Sequence, residues 1–80
     1  MEQSIAAVLA GHPQRVRDWL ANVPGAWGFL AGQAVLAERR RLGRALTDAE
    51  RRAVWQALWD ALLVLRAWQA GEGRNADERR

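Results

Sequence analysis

Few side chains in this sequence could do chemistry. Its 80 residues include a single histidine, His12, and no cysteine, lysine or tyrosine. A general base must reach the proton it removes, within about 3 Å or through one water. His12 stands between Gly11 and Pro13, the setting of a turn or capping residue. Asp18, Glu38 and Asp60 fall on three different predicted helices, and no motif joins them. No glycine-rich loop follows a strand, and no pair of ligands has metal spacing. The expectation is a protein that is not an enzyme, with no catalytic residue, cofactor, metal or small-molecule substrate.

Arginine is the one reactive type in quantity. All twelve cations are arginine, for a net charge of +3. That bias fits a GC-rich coding sequence at least as well as a demand for guanidinium. Arg39, Arg40, Arg41 and Arg44 close one predicted helix, and Arg51 and Arg52 open the next. In an antiparallel hairpin the six meet at one end and could contact phosphates, with salt-dependent binding. The competing reading is a solvated structural end. Arginine in a last turn complements the helix dipole, and Asp48 stands four residues before Arg52, a favourable order for an ion pair. Reading of bases in the major groove is disfavoured. A recognition helix needs polar side chains near its start, whereas this one would open with Gly25-Ala26-Trp27-Gly28-Phe29.

Five tryptophans carry the second signal. Arg51 and Arg52 precede Trp55 by four and three residues, so guanidinium stacking on indole is within reach. Trp55 and Trp59 lie at the edge of an apolar stripe. They suit a core rim or a protein interface, where Trp and Arg are enriched, better than stacking on bases.

The elements that must position these groups are helices. Thr47-Asp48-Ala49-Glu50 is a capping box, and Gly71 has the type that favours a left-handed stop. Between them Val54, Leu58, Ala61, Leu65 and Trp68 are spaced four, three, four and three, with Trp55, Trp59 and Leu62 widening the stripe. Upstream, Ser4 is placed to cap a short helix over 5–10, and Pro13 suits the first turn of a second. Val16, Trp19, Leu20 and Val23 share one face of that helix, which turns near Asn22-Val23-Pro24-Gly25. A third helix ends at Gly43 and has two apolar sides: Trp27, Ala31, Ala34, Val35 and Leu42 on one, Phe29 and Leu36 on the other. Such a helix is sandwiched between neighbours. Gly28 and Gly32 are expected to let a bulky side chain approach its backbone.

The predicted fold is all-α: three main helices at about 13–23, 24–42 and 48–70 plus a short N-terminal one. The short link 43–46 makes the last two an antiparallel hairpin. Residues 1–70 read as a single domain, and 71–80 as a disordered polar tail. The apolar run near the N-terminus is too short for a signal segment, and no stretch reaches the roughly 20 residues of a membrane span. A cytoplasmic location is therefore expected.

A chain this short buries only about 60–65% of its unfolded surface, and no disulfide supports it. Leu63 and Val64 make the run 61–65 apolar nearly all round. The functional expectation is a non-catalytic module, a small adaptor, assembly factor or regulator. It would bind a protein partner or a second copy through Phe29, Leu36, Trp55, Trp59, Leu63, Val64 and Trp68. The alternative is phosphate binding by Arg39, Arg40, Arg41, Arg44, Arg51 and Arg52 on nucleic acid.

Overall fold

Four helices build the protein in a computed structural model that describes the backbone of residues 1–78 and the side chains of 1–70. They are α1 (Glu2–Gly11), α2 (Pro13–Leu20), α3 (Ala26–Leu42) and α4 (Asp48–Glu78). No strand occurs among the described residues. α3 is the centre: α1, α2 and α4 each have their most extensive contact with it. α1 runs antiparallel to α3, because the Met1 nitrogen lies near Glu38 and His12 lies against Phe29.

Local chemistry explains each break. Pro13 begins α2, where its missing N–H costs nothing. His12 joins the two helices with φ −133°, so α1 and α2 are separate rods. α2 stops at Leu20, earlier than the predicted Val23. There Asn22 takes φ 61°, and the Asn22 and Val23 N–H groups donate to the Trp19 and Asp18 carbonyls at 3.0 and 2.9 Å. This is a Schellman closure with Asn in place of the usual glycine. Pro24 belongs to the turn rather than to α3, which begins at Ala26 after Gly25 at φ 87°. Gly43, at φ 72°, ends α3, and its N–H donates to the Arg39 carbonyl.

The predicted capping box forms. Glu50 N–H donates to Thr47 Oγ1 at 3.1 Å, and Thr47 N–H donates to Glu50 Oε1 at 2.9 Å. Ser4, in contrast, caps nothing. α1 begins at Glu2, and Ser4 is buried with its hydroxyl donating to Glu38 Oε1 at 3.0 Å. α4 continues as helix through Gly71 and Gly73 to Glu78, because extending a formed helix does not repeat the cost of nucleation. The predicted tail 71–80 therefore has helical backbone as far as Glu78. Its side chains, and the backbone of 79–80, lie outside the described residues.

The core is built from lines of four-residue spacing. α4 contributes Val54, Leu58 and Leu62, all fully buried, with Ala61 and Leu65 at their flank. α3 contributes Ala26, Leu30 and Ala34, also fully buried, with Ala31 beside them and Glu38 ending the line. Ile5, Val8 and Trp19 close the core from α1 and α2. The α3 line is rotated from the predicted stripe, and Leu30 was in neither predicted face. Three helices cover α3, so its buried arc is set by where they converge.

Candidate protein-interaction surface

Trp59 organises the α4 edge. Its ring meets Trp19 at 5.6 Å and Trp27 at 5.4 Å between centroids, edge-on in both cases. Edge-to-face pairs of this kind add about 0.5–1.5 kcal/mol beyond their buried area. Arg66 sits beside them, its guanidinium 4.0 Å above Trp19. The same group donates to the Trp19 carbonyl and to Asn22 Oδ1 at 3.3 and 3.4 Å. Arg66 thus ties α4 to the closure of α2. Beyond it, residues 67–70 are all exposed.

A groove runs along the open side of α3. Gly28 and Gly32 lie on its floor, with Phe29 and Leu36 on the α3 side, Trp27 and Val35 toward α4, and Arg51 and Trp55 from α4. It is an open trough of about 770 Å³. The expected bulky neighbour over the glycines is not there, since a Cβ at either would meet nothing within 4 Å. The glycines deepen an unoccupied surface instead.

The seven predicted contact residues divide among different places. Phe29, Leu36 and Trp55 share the groove. Phe29 is half-covered by His12, at 5.0 Å, and by the Arg15 guanidinium, at 4.6 Å. Trp59 belongs to the tryptophan trio, 40% exposed, and Leu63 follows it one turn later at 40%. Val64 and Trp68 are 67% and 65% exposed. Trp68, predicted in the core stripe, keeps its phase but lies past Leu62, the last fully buried residue of α4. A smaller trough between α1 and α4, about 430 Å³, is lined by Glu2, Ile5, Ala6 and Leu9 opposite Ala57, Asp60 and Ala61. Sequence reasoning passed over Trp27 as a groove residue and Ala57 as a trough residue. The proximity of Gly28 and Gly32 was the available signal for the groove.

Half of the arginine cluster is already engaged. Arg41 binds Glu38 through two hydrogen bonds, at 2.6 and 3.0 Å. Arg44 binds Glu50 through two at 2.8 Å. Arg51 pairs with Asp48, taking the partner predicted for Arg52. Arg39, Arg40 and Arg52 have no ion-pair partner among the described residues. No described guanidinium stacks on Trp55. The Arg41 hydrogen bonds hold the Glu38 carboxyl at about 2, and the Ser4 hydroxyl adds to this against the opposing effect of burial. Arg44, followed by the capping-box N–H of Thr47, likewise lowers Glu50 to about 2.

Among the described residues no group of three or more His, Cys, Asp or Glu could hold a metal. No helix is long and apolar enough to cross a membrane. No family model matches the chain, and no curated protein or solved structure matches it either.

Proposed function

We propose that the protein is a non-catalytic interaction module, a small adaptor, assembly factor or regulator that binds other protein through apolar helical surface and also associates with itself. One observation carries the reading: Trp55, Trp59, Leu63, Val64 and Trp68, five large apolar side chains on a single helix, are each at least 40% exposed. Trp55, Trp59 and Leu63, spaced four apart, make one edge of α4 apolar, and monomeric soluble proteins rarely leave large contiguous apolar patches uncovered. The α3–α4 groove suits the apolar face of a partner helix, with Trp55 and Leu36 as contacts and Arg51 at the rim.

Sedimentation equilibrium tests self-association. A dimer should appear at high micromolar concentration, and a 9.0 kDa species there would refute it. Binding to other proteins is tested by capture from a native extract on immobilised wild type and on a Leu36→Asp/Trp55→Asp variant. The groove reading requires partners that the wild type retains and the variant loses.

Phosphate binding is the second reading, favoured by Arg39, Arg40 and Arg52, which have no ion-pair partner among the described residues. It predicts affinity for DNA or RNA that survives physiological salt and falls in an Arg39→Ala/Arg40→Ala variant. The engagement of Arg41, Arg44 and Arg51 within the chain weighs against it.

A further inference from the structure

The α3–α4 groove is charged with one sign, and most heavily at one end. Gly28, Gly32, Leu36 and Arg40 are spaced four apart and all are exposed, so one row of α3 passes from hollow to apolar to cationic. Leu36 also borders the next hollow along α3, together with Arg39, Arg40 and Arg44. Across the groove, Arg51 and Trp55 also border a hollow that holds Asp48 and Arg52. Five arginines therefore gather where α3 ends and α4 begins. The carboxylates among them, Asp48 and Glu50, are already bound to Arg51 and Arg44, and Glu38 is bound to Arg41. Arg39, Arg40 and Arg52 are left with no ion-pair partner among the described residues. Among those residues no carboxylate lines the groove, whose polar lining is Gln33 and Arg51. At the far end Arg15 lies over the Phe29 ring, a further cation.

We propose that this groove takes an acidic amphipathic helix of another protein, with the carboxylates of its first turn against Arg39, Arg40 and Arg52. This deepens the groove reading given above and rests on it. From Gly28 to Arg40 the row spans about 18 Å at 1.5 Å per residue, so about twelve residues of helix cover it. Such a helix docks through apolar anchors about one turn apart. The first would lie against Leu36 and Trp55, and the next two over Gly32 and Gly28. A Cβ at either glycine meets nothing within 4 Å, so the floor is clear for them.

Charge fixes the direction and narrows the choice of occupant. Carboxylates in a first turn complement the helix dipole, whereas in a last turn they oppose it. The visiting helix therefore runs antiparallel to α3, its start beside the arginines. A second copy of this chain suits the groove poorly, because it brings a net charge of +3 to a cationic site. A neutral helix would fill the hollow but leave the three arginines unanswered, and complementary charge is what fixes register and selects partners.

The probe is a displayed library of helices about 18 residues long, with a fixed apolar stripe and the other positions drawn from Asp, Glu, Asn, Gln, Lys and Arg. Selection uses the full wild-type chain, with Leu36→Asp/Trp55→Asp protein as the counter-target. Both positions are exposed, and circular dichroism checks that the variant stays helical. Selected peptides should be richer in Asp and Glu in their first turn than in later ones. Fluorescence anisotropy then compares the best peptide with a copy whose first-turn carboxylates are amides. The acidic form should bind about tenfold more tightly at low salt, and the advantage should shrink at physiological salt. On an Arg39→Ala/Arg40→Ala/Arg52→Ala protein that ratio should fall to near one. Groove-dependent peptides without the acidic first turn, or a ratio that the arginine variant leaves unchanged, overturn this proposal and leave the groove reading standing. A selection in which every binder also holds the counter-target overturns both. Oligo-dT that binds more tightly than the selected peptides at physiological salt, and loses that affinity in the arginine variant, gives the arginines to phosphate and overturns the acidic helix.

Discussion

Glu38 should make folding sensitive to acid in a way that a single substitution isolates. Its side chain is 4% exposed and is held by Arg41, the Ser4 hydroxyl and the Met1 nitrogen at 3.7 Å. Holding a carboxyl at about 2 instead of 4.5 corresponds to about 3 kcal/mol at 1.36 kcal/mol per pKa unit. The Arg41 side chain is 46% exposed, so solvent screening reduces the contribution to about 1–2 kcal/mol. The folded-state value lies below the unfolded one. Stability is therefore fully present above about 4.5 and is lost as the pH falls toward 2. Glu50 titrates over the same window, so wild type alone cannot separate the two carboxyls. The assay is urea unfolding of wild type and Glu38→Gln at several pH values between 7 and 2. The variant should be less stable by about 1–2 kcal/mol at pH 7, and the gap should close as the pH approaches 2. Equal stability at pH 7, or a gap that stays constant down to pH 2, would refute the reasoning.

Three further substitutions follow from the packing. Leu58→Ala empties a fully buried site and should cost about 2–5 kcal/mol in urea unfolding. Thr47→Ala removes the capping hydroxyl and should cost about 1 kcal/mol, with no change in the size of the folded unit by sedimentation. Gly32→Ala adds a methyl where nothing stands within 4 Å. It should raise stability by up to about 1 kcal/mol while weakening capture of any partner that uses the α3–α4 groove. Stability and binding moving in opposite directions is the signature of a functional glycine rather than a structural one.

Punctuation was the most legible part of the fold. The Thr47–Glu50 box, Pro13 and Gly43 each work through a local mechanism that needs no neighbours, and each stands where its type implies. The all-helical bundle follows from them and from the apolar spacing. Periodicity does not say which neighbour covers a given arc, and there the reading slipped. Leu30 is fully buried because three helices converge on α3. Trp68 is exposed because the bundle ends before α4 does, and a stripe in phase carries no mark of that end. Ser4 has the right type for a cap, but its hydroxyl serves a buried carboxylate thirty-four residues away, a pairing that no local rule reaches. The candidate surface was legible as an excess of apolar circumference on α4. Its division into a groove, a tryptophan trio and the exposed pair Val64 and Trp68 is set by how the helices pack.

The central place of α3 also bears on the order of assembly. α1, α2 and α4 each find their main docking face on it, so helix formation over residues 26–42 is expected to limit the docking of all three. Two glycines sit within that segment, each disfavouring helix by about 1 kcal/mol. Gly28 and Gly32 would then slow the step on which the other helices wait, and alanine at either should quicken refolding more than it retards unfolding in a chevron measurement. A groove kept open for a visitor would thus have delay during synthesis as its counterpart.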